Sequence, residues 1–282
     1  MQELWIMNIS PDWSGVTGDI WARRWRELDH ALAGVGEALD ATIGDAAPPA
    51  PFRALDVGCG PGTTSLALAA ARPDASILGC DLSSSLVSIA QQRAERVPCC
   101  EFVAADAEKL ARKRGSFDLI FSRHGVMFFD DAVRAFRRFR SAATLDGKLV
   151  FSCFQNWDAN PWASEVASAA AGTRVPPPGR EPGGFAFAEV DHVREILESA
   201  GWTSLDHRAL TFNYIAGDGT AAVNEALAFL SDVGPASRVI QGLVGHARED
   251  ALQRMRRAID AREVDGTVSF PAAAWIWSAS AR

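Results

Sequence analysis

The nine residues Leu55-Asp56-Val57-Gly58-Cys59-Gly60-Pro61-Gly62-Thr63 decide the fold. The apolar run from Ala54 to Val57 predicts a buried strand, and the Ala- and Leu-rich stretch after Thr63 predicts a helix. Between them, the glycines remove the Cβ atoms that would keep a ligand away from the backbone. Because the first amides of the helix point back at this turn, the stretch predicts a site for a nucleoside-type ligand at the carboxyl end of a parallel strand.

Two further predicted strands also end in aspartate. Asp56, Asp81 and Asp106 stand 25 residues apart from one to the next, a length that fits one βα unit. An acid at the second strand end is placed to accept hydrogen bonds from the hydroxyls of a ribose. For any one of these aspartates a helix-capping or turn role is the alternative. Three acids in register after three apolar strands favour a nucleoside-cofactor site.

The glycine spacing distinguishes between nucleoside cofactors. A dinucleotide-binding turn reads Gly-x-Gly-x-x-Gly, whereas this chain has Gly-x-Gly-x-Gly with Asp56 two residues before the first glycine. In this motif the chain resembles the class I S-adenosylmethionine-dependent methyltransferases. The resemblance is specific over residues 50–155, where Phe117–Ser122 is similar to the family's fourth strand and Leu145–Val150 to the turn into the fifth. Over the whole chain it extends more loosely to small-molecule enzymes of the ubiquinone/menaquinone-biosynthesis type.

The resemblance implies an α/β fold with a Rossmann-like, doubly wound sheet of seven strands. The sheet is expected to be mostly parallel, with the last strand, Ser269–Ser280, inserted antiparallel beside the fifth. We expect one compact domain with a helical N-terminal lid at 1–50 and an S-adenosylmethionine-binding core at 51–160. The remainder of the sheet and an inserted helical acceptor cap then occupy 161–282.

The resemblance also implies the cofactor, S-adenosyl-L-methionine, and its product, S-adenosyl-L-homocysteine. Asp81 matches the family's ribose-binding acid, and Asp106 with Ala107 matches the position beside the adenine amino group. The full set of expected cofactor-binding residues is Asp56, Gly58, Cys59, Gly60, Gly62, Asp81, Leu82, Asp106, Ala107 and Ser122.

The residues just after the fourth strand are the nearest candidates for contact with the methyl acceptor. His124 is the single histidine at one of these strand ends, and its ordinary pKa suits a general base near neutral pH. Alternatively, it packs over the cofactor or hydrogen-bonds to the backbone. Arg123 pairs either with a carboxylate or phosphate of the acceptor or with a structural aspartate, and the sequence does not choose between them.

Aromatic residues supply the other candidates for acceptor contact. Trp13, Trp21 and Trp25 are expected in a lid that offers flat apolar surfaces, whereas in the alternative Trp21 and Trp25 at i, i+4 would pack one helix onto the domain. Met127 and Phe128 follow Arg123 and His124 and are expected in the pocket wall or the core. The expected acceptor-binding residues are therefore Arg123, Met127, Phe128, Trp13 and Trp21, with His124 as the candidate base.

Composition narrows the class of partner. The 282 residues have a net charge of −7 and no long basic run, which argues against a nucleic-acid substrate. Enzymes that methylate nucleic-acid amino groups carry an Asn/Asp-Pro-Pro-aromatic run after the fourth strand, and Ser122-Arg123-His124-Gly125 departs from it. No basic leader and no apolar run of membrane-spanning length is evident, so a cytoplasmic protein with no membrane partner is expected. The Arg- and Ala-rich composition indicates a bacterial source.

The five cysteines have no paired C-x-x-C spacing, and we interpret them as reduced thiols. Asp130-Asp131 is explained by helix capping, so no metal site is expected.

The sequence therefore predicts methyl transfer to a small, largely apolar acceptor, at oxygen, with carbon or nitrogen as alternative acceptor atoms. Two other functions are weighed against it: a non-catalytic or non-methylating S-adenosylmethionine-binding protein, and an NAD-dependent oxidoreductase. The oligomeric state stays open.

Overall fold

A parallel five-stranded unit forms one half of the sheet. The structure is a computed structural model, and residues 12–282 of it are described. The strands stand in the order β3-β2-β1-β4-β5, and all four neighbouring pairs are parallel. They are β1 (Phe52–Val57), β2 (Ala75–Asp81), β3 (Cys100–Ala104), β4 (Phe117–Arg123) and β5 (Ala143–Phe154). The strand order reverses between β1 and β4, which is where ligands bind in open α/β sheets, at the carboxyl ends of the strands.

Four helices connect these strands. They are α4 (Thr63–Ala71), α5 (Ser84–Arg93), α6 (Ala107–Arg114) and α7 (Ala132–Ala142). Ser83 begins α5 by accepting a hydrogen bond from the Leu86 amide, and Asp131 begins α7 by accepting one from Arg134. Asp131 is therefore a helix cap, as predicted.

Antiparallel strands complete the sheet. The last strand, β8 (Thr267–Ser280), pairs antiparallel with β5, from Lys148 opposite Ser280 to Phe154 opposite Ala274. This confirms the strand expected beside the fifth. On its other side β8 pairs with β6 (Thr203–Asp218), and the two-residue β7 (Glu263–Val264) adds an eighth strand off this path.

The sheet buries apolar side chains on both faces, as a doubly wound sheet requires. Along β1, Leu55 and Val57 belong to one buried cluster, whereas Phe52 and Ala54 belong to another. This alternation is the period-2 pattern of a strand that is covered on both sides.

The N-terminal segment forms three helices, α1 (Val16–Arg23), α2 (Trp25–Ala31) and α3 (Ala33–Ala46). In α3, Val35, Leu39 and Ile43 are buried, so this helix belongs to the layer that covers the sheet. The predicted i, i+4 pairing of Trp21 and Trp25 on one helix is wrong, because α1 ends at Arg23 and α2 begins at Trp25.

The remaining helices pack beside the antiparallel half of the sheet. Trp162 at the start of α8 stacks on Tyr214 of β6, with ring centroids 4.5 Å apart. These helices are α8 (Pro161–Ala171), α9 (Val190–Ser199), α10 (Ala222–Asp232), α11 (Pro235–Gln241) and α12 (Gly245–Asp260).

Candidate cofactor and acceptor site

A cavity of about 330 Å³ lies over the carboxyl ends of β1, β2 and β4. Helices α1 and α2 and the turn before them close its other side. It brings together most residues that the sequence predicted for the site. The predicted residues that line the cavity are Asp56, Gly58, Cys59, Gly60, Asp81, Leu82, Asp106, Ala107, Arg123, His124, Phe128, Trp13 and Trp21.

The glycine turn leaves room at the cavity floor. Gly58, Gly60 and Gly62 all have positive φ, at 67°, 52° and 80°, which glycine adopts without a steric penalty. A Cβ on Gly60 would meet no atom within 4 Å, whereas one on Gly62 would lie 2.8 Å from Cζ of Phe102. The space beside Gly60 is therefore open to a ligand. Gly62 lies outside the cavity wall and serves close packing at the start of α4.

Asp81 occupies the end of β2 next to this turn. Its Oδ2 accepts a hydrogen bond from the Gly60 amide at 3.0 Å, and its Oδ1 accepts one from the Ser83 amide at 2.9 Å. These bonds fix the carboxylate in the cavity wall, while each oxygen keeps a further lone pair. Burial raises the pKa of Asp81, and its backbone hydrogen bonds oppose that rise.

Asp56 lies beneath the turn and is 1% exposed. Its Oδ2 accepts a hydrogen bond from Ser65 Oγ at 2.7 Å. Burial raises the pKa of Asp56 from about 3.8 to about 7, and the Ser65 bond and the charge of Arg123 reduce that rise. A cation bound in the cavity would therefore stabilise the ionised form of Asp56.

We expect the contribution of Asp56 to the free energy of unfolding to fall as the pH rises from about 4 to about 7. Because Asp56 has a higher pKa in the folded than in the unfolded chain, its stabilising effect is complete below the unfolded value and is lost as the pH rises through the folded one. The loss is on the order of a few kcal/mol. Urea unfolding of the wild type and of Asp56→Asn between pH 4.5 and 8 measures it. The stability of the wild type relative to the variant should decrease as the pH rises, because His124 contributes equally to both curves. Parallel curves for the two proteins would contradict the assignment.

Asp106 has a structural role as well as a place in the cavity wall. Its Oδ1 accepts hydrogen bonds from the amides of Glu108 and Lys109 and so caps helix α6. The helix-cap alternative is therefore correct for this aspartate. Its contact with an adenine amino group stays a prediction.

His124 follows β4 in a left-handed conformation, with φ at 58°, and its side chain is buried. Its Nδ1 lies 2.7 Å from Oγ of Ser152 on β5, and its Nε2 has no hydrogen-bond partner among residues 12–282. Burial, aided by the charge of Arg123, lowers the pKa of His124 to about 3. The ordinary pKa assumed for a base near neutral pH is therefore wrong, because the imidazole is desolvated.

Arg123 pairs with an acid of the N-terminal helices. Its guanidinium donates to Asp29 on α2, and both side chains are less than one-fifth exposed. The other Asp29 oxygen accepts a hydrogen bond from Thr63 Oγ1 at 2.5 Å and lies 3.6 Å from Nη1 of Arg93. These contacts, here called the Asp29 clasp, join α2 to the ends of β4 and α5 and to the start of α4. The sequence left two partners open for Arg123, and in the structure it pairs with the structural aspartate.

Aromatic rings form another part of the cavity wall. Trp13 packs edge-on against Trp21 and Phe128, with ring centroids 5.0 and 4.9 Å away. Trp25 also lines the cavity, and the Arg93 guanidinium lies 4.7 Å from its centroid. Trp13, Trp21 and Trp25 therefore face the cavity together while they pack on their neighbours.

Besides Gly62, two predicted residues lie outside the cavity wall. Ser122 is fully buried, and its Oγ donates to the Val57 carbonyl and accepts from the Gly125 amide. Met127 is buried in the core. Both side chains are therefore buried in the protein and do not line the cavity.

The sequence interpretation placed Trp25 in the N-terminal segment's lid or packing face but did not name three further residues there that line the cavity. Leu28, Asp29 and Leu32 line it together with Trp25, and their i, i+3, i+4, i+7 spacing puts the four on one helix face. The spacing predicts a shared helix face from the sequence alone, but the sequence does not show which surface that face lies against.

Among the described residues we find no candidate metal site and no candidate membrane span. Between Asp12 and Arg282, no group of three His, Cys, Asp or Glu side chains is placed to hold a metal ion. In the same range no helix combines the length and apolar character needed to cross a membrane. The five cysteines are free thiols.

Comparison with known proteins finds methyltransferases. Residues 54–147 match a family described as a methyltransferase domain. The chain is 31% identical over 156 residues to a malonyl-[acyl-carrier protein] O-methyltransferase of Geobacter sulfurreducens, over 55% of this chain and 57% of that one. It is 26% identical over 208 residues to a demethylmenaquinone methyltransferase of Paenarthrobacter aurescens, over 69% and 74%.

Among solved structures, the YcgJ protein of Bacillus subtilis has a similar fold. Its TM-score is 0.57 at 17% identity, over 86% of this chain and 97% of that one. The chain spans between 36% and 57% of the length of the malonyl-[acyl-carrier protein] methyltransferases that it matches.

Proposed function

We propose that this chain, which belongs to the class I S-adenosylmethionine-dependent methyltransferases, moves the methyl group of that cofactor to a small, largely apolar acceptor, at oxygen. The observation that carries the proposal is the composition of the cavity. Acidic side chains and an open glycine turn line it together with three tryptophans and Phe128. The acids and the glycine turn suit a cationic nucleoside, and the aromatic rings suit an apolar acceptor.

The residues present fit the cofactor. Six acidic side chains and two arginines line the cavity, and each arginine is paired with one of those acids. S-adenosylmethionine carries a sulfonium and an ammonium charge against one carboxylate, so an acidic wall complements it. When bound, the cofactor supplies an electrophilic methyl group on sulfur. Asp81 would hold its ribose, and the turn at Gly58 and Gly60 would lie against its amino-acid portion.

The other residues act by holding the reactants and excluding water. Because methyl transfer is an in-line displacement, alignment of donor and acceptor supplies much of the rate. Trp13 and Trp21 stand on the N-terminal segment, which the Asp29 clasp holds over the cavity. We infer that residues 12–31 act as the lid, and that the rings of Trp13, Trp21 and Phe128 contact the acceptor.

A basic surface beside the cavity favours a second form of the acceptor, one tethered to an acidic carrier protein. Helices α6 and α7 hold eight of the 28 lysine and arginine residues and one of the 35 acidic residues. A surface depression on these helices shares Asp106, Glu108 and Arg134 with the cavity wall. Several relatives are named as methylating malonyl-[acyl-carrier protein]. Charge complementarity of this kind speeds and orients docking.

Incubation with methyl-labelled S-adenosylmethionine and an acceptor panel tests the function. The panel contains quinones, phenols and carboxylic acids, each acid offered free and as its carrier-protein thioester. Label transfer to at least one acceptor is the expected result. Tight cofactor binding without transfer to any acceptor would favour a non-methylating protein.

Two double variants test, in the same assay, whether a carrier-bound acceptor docks on α6 and α7. Lys109 and Arg112 are exposed on α6, and their double change to glutamate should raise KM for a carrier-bound acid but not for a free one. The matched control changes Arg174 and Arg256, both exposed and outside the cavity wall, to glutamate. Equal effects of the two double variants would reject docking on α6 and α7.

A further inference from the structure

Arg93, the last residue of α5, is hydrogen-bonded to the glycine turn. Its Nη1 donates to the Pro61 carbonyl and to Thr63 Oγ1, both at 2.8 Å. Pro61 lies within the turn, and Thr63 is the first residue of α4. Because Nη1 carries two hydrogens, these two bonds use both of them. The position of the guanidinium therefore depends on the position of the turn.

The same guanidinium also contacts helix α2. Asp29 Oδ2 lies 3.6 Å from Nη1, and the centroid of the Trp25 ring lies 4.7 Å from the guanidinium carbon. An ion pair and a cation–π contact of this kind attract the helix toward Arg93. One side chain thus joins the glycine turn to the N-terminal segment that lies over the cavity.

The residues that Arg93 joins belong to the cavity wall. Pro61, Trp25 and Asp29 all line the cavity, and the space beside Gly60 is open to a ligand. A cofactor that lies against the turn would restrict the motion of the turn. Because Arg93 is bonded to the turn and attracts α2, the same ligand would also restrict the motion of α2.

The other anchors of α2 do not include the turn. Arg123 also pairs with Asp29, but within residues 12–282 Arg93 is the one of these two arginines that hydrogen-bonds to the turn. Arg24 fixes the start of α2 to Asp232 on α10. Arg93 therefore has a position that neither of the other arginines shares.

We propose that Arg93 is a positioning residue that couples occupation of the glycine turn by the cofactor to closure of the lid, residues 12–31. The inference rests on the proposed function and deepens it. Cofactor on the turn stabilises the closed lid, and the closed lid stabilises the bound cofactor to the same extent. The aromatic rings that face the acceptor are then held in place once the methyl donor is bound.

Hydrogen–deuterium exchange of the α2 amides tests this coupling without an acceptor. Each protein is measured alone and with S-adenosylhomocysteine at a concentration that calorimetric titration shows to be saturating. In the wild type the ligand should slow exchange in α2 by roughly 5- to 150-fold, the usual range for coupling between two sites. In Arg93→Met the slowing should fall to about 3-fold or less, although Asp29 keeps its partner Arg123.

Arg24→Met is the matched control. The Arg24 side chain has nearly the same exposed fraction as that of Arg93, 27% against 29%, and it anchors α2 away from the turn. This variant should exchange faster than the wild type both with and without ligand, and the ligand should still slow exchange by the wild-type factor. Equal slowing in the wild type and in Arg93→Met, or equal loss of slowing in Arg93→Met and Arg24→Met, would overturn the proposal.

Thr63→Val provides the same test if Arg93→Met does not fold. Thr63 Oγ1 accepts from Arg93 and donates to Asp29, so valine removes this connection between the turn and α2 at nearly constant side-chain volume. The ligand should slow exchange less in this variant than in the wild type. Slowing by the full wild-type factor would then reject the coupling.

Failure of the inference can be distinguished from failure of the proposed function. If calorimetry detects no binding of S-adenosylhomocysteine to the wild type, the proposed function is rejected and the inference with it. If the ligand binds but leaves exchange in α2 of the wild type unchanged, the inference alone is rejected.

Discussion

Replacement of Asp81 by alanine is expected to weaken S-adenosylmethionine binding by roughly 10- to 150-fold. Asp81 stands at the end of β2 with both carboxylate oxygens held by backbone amides, so it is oriented before the ligand arrives. Loss of charge-assisted hydrogen bonds to the ribose costs about 1.5–3 kcal/mol, which corresponds to that change in affinity. Isothermal titration calorimetry on the variant measures it.

Two control variants show whether a loss of cofactor affinity in Asp81→Ala comes from the lost carboxylate contact. Asp81→Asn keeps one acceptor oxygen and should fall between the alanine variant and the wild type. Asp146→Ala removes an exposed acid paired with Arg282 and should leave the affinity unchanged. If Asp81→Ala binds as tightly as the wild type, the ribose is held elsewhere.

Asp29→Ala is expected to lower the free energy of unfolding by about 3 kcal/mol. The change leaves the Arg123 guanidinium largely buried without its carboxylate, and breaking a buried pair on one side costs about 3–5 kcal/mol. Loss of the clasp also frees α2 from the ends of β4 and α5, so KM for the acceptor should rise. Urea denaturation and steady-state kinetics provide the two measurements.

A double-mutant cycle isolates this pair. Arg123→Met with Asp29→Ala should be less destabilised than the two single changes added together, because the double variant no longer contains the buried, unpaired Arg123 guanidinium. A single-variant loss below about 1 kcal/mol would identify the contact as an ordinary surface ion pair.

The parallel core was predictable because its signals are local. The Gly-x-Gly-x-Gly turn, three strands ending in acids and an Ala-rich helix all lie within about two βα units of one another. The methyltransferase-domain match at residues 54–147 confirms the family predicted from this turn. The antiparallel β8 was also predicted correctly, since its position followed from the resemblance.

Features set by tertiary packing were not predictable. Residues 21–28 contain no glycine or proline, yet the helix breaks at Arg24, whose guanidinium bonds to Asp232 on the distant α10. The sequence predicts a strand over residues 202–208, whereas β6 runs from Thr203 to Asp218 because β8 pairs with it along that length. The sequence also predicts a helix over residues 236–262, where the structure has α11 and α12 with a break at 242–244 before Gly245, which has positive φ.

The chemistry of the site was also predictable only in part. The identity of the acids came from spacing, but their pKa values depend on burial that only the folded chain creates. His124 shows this most clearly, because the same residue read as a base in the sequence is a desolvated neutral ring beside Ser152 in the structure. Asp106 shows that one aspartate can cap a helix and still line the cavity.

Calorimetric titration of the wild-type protein with S-adenosylmethionine and, separately, with NAD tests the central claim most directly. An acidic cavity over a Gly-x-Gly-x-Gly turn predicts one S-adenosylmethionine site per chain and no detectable binding of NAD. Binding of NAD without binding of S-adenosylmethionine would contradict the account.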